Sequence, residues 1–315
     1  MRQRARHLAA LLAGALVALL TACGQRGDLY LPTPGRTAVP ASATATRPAP
    51  QFAALQQSRL RYQLLGSASR TLVLIHEMGT ALESWDSIVD DLARDHRVLR
   101  YDLRGFGQSS KIRGDIRMDD EVTDLTGLLD SLQIRGPVTL VGGAFGAAVA
   151  LQFAAAHPER AEAVFAISPD AGVAAERRAA SLGVADRLQQ LGASAVAEAD
   201  LQDNYPPALQ AGHPDRLAQF RALQAANDVP SWAATLRMLT VTDWDAIWPR
   251  IRCPVWIVAA RLYPAQSVAA MQALADAIPD GRGHLEVLDT GHFMAIQSPE
   301  LVSPLLRKFL SQTAH

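Results

Sequence analysis

"LVGGAFGAAVAL", Leu140 to Leu151, runs from an apolar strand signal through a glycine-rich turn into an alanine-rich helix signal. Its layout is that of the strand-turn-helix motif G-x-S-x-G, in which a serine on a sharp turn raises its oxygen for attack. Gly142, Gly143 and Gly146 keep the glycines of such a turn, and Ala144 puts a methyl group where the oxygen belongs. The turn is retained and its nucleophile is not.

On either side of this turn, short β-rich runs alternate with helical patterns. Leu60 to Leu65, Thr71 to Ile75, Val98 to Tyr101, Val138 to Val141, Val164 to Ile167, Val255 to Ala259 and Leu285 to Leu288 read as strands. Met118 to Leu132 and Ala147 to Ala156 read as helices. Continuous apolar strands separated by helices predict an α/β fold with a mostly parallel sheet covered on both faces. Ala174 to Asp245 breaks the rhythm, carrying only helical signals interrupted by Pro206, Pro207, Pro214 and Pro230. No internal repeat is visible.

A chain of 315 residues with 49% hydrophobic and 19% charged residues can bury one large core. Its formal net charge of -1 supplies no broad attraction to polyanions, which argues against a nucleic-acid partner. A small apolar or ester-like ligand fits better, and neither a cofactor nor a metal is expected.

Arg2, Arg4 and Arg6 precede an apolar run from Leu8 to Leu20, short of the roughly 20 residues that a membrane-spanning helix needs. Residues 1–22 therefore read as a secretory signal peptide. Its end, Leu20-Thr21-Ala22 before Cys23, resembles the lipobox of bacterial lipoproteins. That resemblance implies that Cys23 becomes the lipidated N-terminus; the plain alternative is ordinary cleavage with Cys23 incidental. Several acyl chains, each burying CH2 groups at about 0.8 kcal/mol, would hold the protein on a membrane essentially permanently. Gly24 after the cysteine, where Asp would otherwise be informative, favours the outer membrane of a Gram-negative host. With Cys23 lipidated only Cys253 remains, so no intramolecular disulfide is available.

"CGQRGDLYLP", Cys23 to Pro32, resembles the N-terminal segment of a family of very small outer-membrane lipoproteins associated with assembly of the lipopolysaccharide-transport machinery. The resemblance implies a partner in that machinery; the alternative is a plain extended tether. Thr33 to Pro50 is rich in Pro, Ala, Thr and Ser and reads as a semi-extended linker. The chain thus divides into the signal at 1–22, a lipidated segment and linker at 23–51, and a body at 52–315, with the helical insert at about 174–245.

Within the body, "LVLIHEMGTALESWDSIVDDL", "VLRYDLRGFGQSS", "VTLVGGAFGAAVALQFAAAHPERAEAVFAIS", "IRCPVWIVAA" and "DTGHFMAIQSPELVSPLLRKFL" resemble successive blocks of the α/β-hydrolase fold. Asp102, Arg104, Gly105, Gly107 and Ser109 match its D-x-R-G-x-G-x-S turn. The resemblance implies an α/β-hydrolase fold in which the helical insert is the cap over the active site. Fold alone does not carry function.

The family's chemistry needs three parts. Its nucleophile position falls on Ala144, which has neither oxygen nor sulfur. Its acid position falls on Tyr263, whose unperturbed pKa near 10 leaves it without the charge that would stabilise an imidazolium. Its histidine loop survives as Thr290-Gly291-His292-Phe293. Asp170, just after the strand ending at Ile167, is a substitute acid candidate, or else a loop aspartate or helix cap. His76-Glu77-Met78-Gly79 stands where the family's H-G-x-G supplies oxyanion donors, and Met78, Gly79 and Phe145 are the expected oxyanion and pocket residues. Glu77 either points to the surface or faces the pocket, where burial would raise its pKa and make it an acid or base candidate. Trp232 is a candidate pocket liner, and Cys253 is expected to be buried.

Three classes of function remain open. Two losses without compensation favour a non-catalytic relative of ester and lactone hydrolases that keeps the pocket and binds a small ligand. A second class is an enzyme without a covalent intermediate, with His292 as general base oriented by Glu77 or Asp170. The third is an outer-membrane assembly accessory, with Cys23 to Pro32 as the active segment.

Overall fold

A computed structural model describes residues 47–171 and 175–313. The chain divides into Met1–Thr46 and a compact unit from Arg47 to His315. The signal, Cys23, the segment to Pro32 and most of the linker lie outside the described residues, as does Ala174 at the edge of the cap.

The compact unit begins ahead of the Phe52 boundary expected from composition. Arg47 donates from Nε to Asp90 and pairs with Asp86, and the Pro48 carbonyl accepts from Gln63 Nε2. A first strand then runs over Gln51–Ala54 (β1), followed by β2 (Arg59–Leu65), β3 (Thr71–Ile75), α1 (Val89–Leu92), β4 (Arg97–Tyr101), α2 (Met118–Ser131), β5 (Val138–Gly143), α3 (Phe145–Ala156) and β6 (Ala161–Ile167). Five helices follow: α4 (Ala175–Leu191), α5 (Ala193–Asn204), α6 (Pro207–Gly212), α7 (Pro214–Ala225) and α8 (Val229–Val241). The chain closes with β7 (Val255–Ala260), α9 (Val268–Asp276), β8 (Gly283–Leu288), α10 (Met294–Gln297) and α11 (Pro299–Gln312).

The strands form one eight-stranded sheet in the order β1-β2-β4-β3-β5-β6-β7-β8. Only the β1–β2 and β2–β4 pairs are antiparallel. This is a mostly parallel sheet with flanking helices, as the apolar strands predict. Alternate side chains of one strand feed opposite layers. Val73 and Ile75 join the core under α2 and α3, while Leu72 and Leu74 join the core that holds Val89 and Phe309. Of the prolines that interrupt the helical insert, Pro206 is the N-cap of α6, and Pro207 in α6, Pro214 in α7 and Pro230 in α8 sit in first turns, where their missing N–H costs nothing.

Register sets the position of the site. Ile75 pairs with Gly142, Gly143 with Ile167, and Ile167 with Val258. The loops after β3, β5, β6, β7 and β8 therefore leave the same edge of the sheet, where parallel α/β sheets bind ligands. Buried Asp102 braces that edge. Its carboxylate accepts from the backbone N–H groups of Leu82 and Gln108 and pairs with Arg61, while Arg104 donates twice to Asp124. Cys253 is buried, which pushes its thiol up to about 11.

Candidate functional site

Ala144 joins β5 to α3 with φ +46° and ψ -109°. Glycines on both sides make this corner fit. A Cβ at Gly146 would stand 2.3 Å from the Ile75 carbonyl oxygen, and one at Gly142 would stand 2.4 Å from the Gly146 oxygen. Ala144 lines a cavity of about 550 Å³ whose walls also include Met78, Asp170, Trp232, Tyr263 and His292. The structure thus brings the expected nucleophile, acid and histidine positions together with Met78, Asp170 and Trp232.

His292 stands in the loop between β8 and α10. Its backbone N–H donates to the carbonyl of Asn204, the last residue of α5, and Gln297 Nε2 donates to the same oxygen. The cap therefore holds the histidine loop. The imidazole is 7% exposed, and burial lowers its pKa to about 3. Asp170 Oδ1 lies 3.9 Å from Nε2, and its pull does not offset burial. On the other side of the ring, Nδ1 is buried without a hydrogen-bond partner. In the family arrangement that nitrogen faces the acid. Here Tyr263 brings its ring against the imidazole, with centroids 4.3 Å apart and planes 32° apart. An aromatic ring packs against the histidine where a carboxylate would orient it.

Asp170 reaches the cavity wall at the nitrogen opposite the usual acid side. Its backbone N–H donates to the Ala144 carbonyl, and Gln266 Nε2 donates to its carboxylate at 3.2 Å. It is tied to both the elbow and the loop after β7.

Glu77 takes neither of the positions open to it from sequence. It is 1% exposed, so it does not point to the surface, and it is not among the residues lining the cavity. Its carboxyl fills the room beside Gly143, where a Cβ would stand 2.8 Å from Glu77 Oε1. Burial raises its pKa, against backbone and hydroxyl hydrogen bonds that favour the ionised form, and Oε1 has no hydrogen-bond partner. Its carbonyl oxygen accepts from Thr80 N–H and Oγ1 and lies 2.7 Å from His76 Nδ1. The Leu103 N–H donates to His76 Nε2, so the proton of neutral His76 sits on Nδ1 and is donated to Glu77. Burial lowers the His76 pKa, which favours the neutral ring. Glu77 is thus a fixed part of the oxyanion loop rather than an acid or base in the cavity.

Of the expected oxyanion residues, Met78 lines the cavity. The Phe145 side chain instead packs in the core, its ring 6.5 Å from that of Phe106. Its backbone N–H is at the first position of α3, where helix geometry leaves it without an intrahelical acceptor. Gly79, at φ +80°, turns the loop beneath Gln224 and Trp232 of the cap. Among the described residues no group of three or more His, Cys, Asp or Glu side chains is placed to hold a metal ion. No helix among them is long and apolar enough to cross a membrane.

Comparison with known proteins agrees with this geometry. Residues 70–299 match the α/β-hydrolase fold family, and residues 10–32 match the conserved region of the LPS-assembly lipoprotein LptM. The chain is 27% identical over 246 residues to 3-oxoadipate enol-lactonase 2 of Acinetobacter baylyi, covering 78% of this chain and 90% of that one. It is 27% identical over 250 residues to the poly(3-hydroxyalkanoate) depolymerase of Ectopseudomonas oleovorans, covering 76% and 84%. Among solved structures, the enol-lactonase of Burkholderia xenovorans superposes with a TM-score of 0.77 at 25% identity, covering 83% of this chain and all (100%) of that one. By the match over most of its length and by the elbow, sheet order and histidine loop described above, this chain belongs to the α/β-hydrolase fold family.

Proposed function

We propose that this protein is a lipid-anchored envelope member of the family that binds a small ester-like or lactone-like ligand without cleaving it. The observation that carries this reading is the surroundings of His292. Ala144 offers it no hydroxyl to deprotonate, Tyr263 stacks on its ring, and its Nδ1 has no acceptor. A histidine so placed lacks both the nucleophile it would activate and the charge that would stabilise its protonated form. Relatives named for lactone and polyester chemistry support the ligand class. The match at residues 10–32 supports anchoring through Cys23 on the periplasmic side of the outer membrane, with the envelope-assembly machinery as partner.

A second reading has its own support. Asp170 at 3.9 Å from His292 Nε2 is placed to pair with a base that acts on water without a covalent intermediate. A panel of esters and lactones, assayed with the purified protein and with His292→Ala, separates the two. The binding reading expects no turnover above the His292→Ala background together with saturable binding of some panel members. Turnover that falls on the order of a hundredfold in His292→Ala would establish the second reading instead.

A further inference from the structure

The first turn of α2 buries a further glutamate, one that does not line the cavity. Acids suit a helix start, where they face the positive end of its dipole, and Asp120 serves there by accepting from the Arg117 N–H. Glu121, one residue on, turns inward instead. It is 0% exposed, and neither of its carboxyl oxygens has a hydrogen-bond partner. The Tyr101 hydroxyl of β4 is buried without a partner as well. A carboxylate held this way would bear the full cost of leaving water, so Glu121 keeps its proton in the fold.

Its neighbours set what happens when that proton leaves. Asp120 and Asp124 of α2 and Arg104 of the turn after β4 act on it electrostatically, and it acts on Tyr101. Burial first, then the Asp124 charge, raises its pKa well above the carboxylate range, while Arg104 pulls the other way. Arg104 is already engaged. Its Nε and Nη2 donate to the two oxygens of Asp124 at 2.7 Å and 2.6 Å, and Ser58 Oγ donates to the same carboxylate. From α3, Gln152 and His157 meet α2 elsewhere, at Asp119 and Thr126. One guanidinium thus stands beside two buried acids, and the charges balance only while one of those acids is neutral.

Arg104 also opens a turn that is fastened to the cap. A Cβ on Gly105, at φ +92°, would stand 2.9 Å from the Ser231 Cβ in the first turn of α8. Further along the same turn, Lys111 Nζ donates to the Gly107 carbonyl, the Ile112 N–H donates to Ser231 Oγ at 2.9 Å, and Arg113 pairs with Asp228, the N-cap of α8. Trp232, next to Ser231, lines the cavity. The connection therefore runs from Glu121 through Arg104 and its turn to the start of α8 and the cavity wall.

We infer that Glu121 is a proton-held latch: protonated, it leaves Arg104 on Asp124 and the turn seated against α8; ionised, it draws Arg104 away, unseats the turn and loosens the Trp232 wall of the cavity. The latch opens in the alkaline range, since deeply buried glutamates titrate near about pH 8–9. It operates whether or not the cavity cleaves what it binds. The folded chain keeps a proton that the unfolded chain releases at the ordinary carboxylate value. Stability from Glu121 is therefore full below that value and falls as pH rises toward the folded pKa.

Two measurements on the full-length protein test this, each comparing wild type with Glu121→Gln, which keeps the shape and cannot ionise. In denaturant unfolding, the wild-type folding equilibrium constant relative to that of the variant should fall about tenfold per pH unit from about pH 6 until the folded group ionises. Lys111, whose pKa burial lowers, titrates in both proteins and cancels from the ratio. In amide exchange at matched pH, peptides covering 103–112 and 229–233 should exchange alike in the two proteins at about pH 6. At about pH 9 they should exchange about tenfold faster in wild type, with peptides from β5 and β7 unchanged. Glu121→Met, an apolar chain of similar length, should behave as Glu121→Gln does and keeps the test alive should the amide disturb the site. A ratio of folding constants that does not vary with pH would show Glu121 ionised in the fold and would overturn the inference. A falling ratio without the local difference in exchange would overturn it too, since the acid would then titrate without releasing the turn.

Discussion

Ala144 holds φ +46° although it carries a Cβ, a backbone state that costs on the order of 1–3 kcal/mol and persists only where its surroundings enforce it. The elbow therefore holds its sharp backbone turn with a methyl group at the position of a nucleophile's oxygen. Restoring the oxygen alone should achieve little. In Ala144→Ser the hydroxyl would face a histidine whose Nδ1 is still without an acceptor, so esterase activity should stay near background. Ala144→Ser combined with Tyr263→Asp should exceed either single variant by about 100-fold, because nucleophile, base and acid act as a unit. An esterase assay on activated esters measures this, and equal rates in wild type and the double variant would show that the pocket had never lost catalysis. Glu77 makes a second residue-scale case. Its pKa is raised in the fold, so the folded chain keeps a proton that the unfolded chain releases above the ordinary carboxylate value. Stability from this group is full below that value and falls as pH rises toward the folded pKa. Glu77→Gln keeps the shape and removes the titration. Its thermal midpoint should rise relative to wild type at pH 7, by about 2 °C or more, with the difference shrinking at pH 4. A variant less stable than wild type at pH 7 would mean that the carboxyl is ionised and paired in the fold.

Between elements, α3 packs closely against the end of β3. Gly146 packs so closely that an added Cβ would stand 2.3 Å and 2.5 Å from the carbonyl oxygens of Ile75 and His76, both main-chain atoms that cannot swing aside. Gly146→Ala should cost on the order of 3 kcal/mol, read by denaturant unfolding, and should loosen the Met78 loop that follows β3. Near-native stability would show that α3 can slide along the sheet. Contacts of this kind also decide what could be read from sequence. Strands β3, β5, β6 and β7 are buried along almost their whole length and announce themselves as apolar runs. The strand Gln51–Ala54 does not, because it sits at the sheet edge with three exposed residues and is held by backbone pairing to β2. The elbow and the histidine loop were legible because their glycines and their order along the chain carry the pattern. The burial site of the Glu77 carboxyl and the packing of the Tyr263 ring on His292 were not. The first is set by the missing side chain of Gly143 on another strand, and the second by a ring-to-ring contact with His292 across two loops. Neither relation leaves a local trace in the residues around it.

At the scale of the whole chain, two independent segments bear on where the protein works. The compact body begins at Arg47, whose guanidinium is tied to Asp86 and Asp90. No helix among the described residues is long and apolar enough to cross a membrane. The N-terminal segment carries Cys23 and the match at residues 10–32. If acylation at Cys23 supplies the anchor, each buried CH2 contributes about 0.8 kcal/mol and several chains together make release from the bilayer negligible. Cys23→Ser should then remove the lipid mass and shift the protein out of the washed membrane fraction or leave it unprocessed. The thermal midpoint of the body should stay within about 1 °C of wild type, since the described sheet and cap contacts all lie at Arg47 or beyond. Fractionation and intact-mass measurement decide the matter. A Cys23→Ser protein with unchanged mature mass apart from the substitution and unchanged membrane partition would show that attachment, where it occurs, runs through the folded body and its partners instead of a lipid.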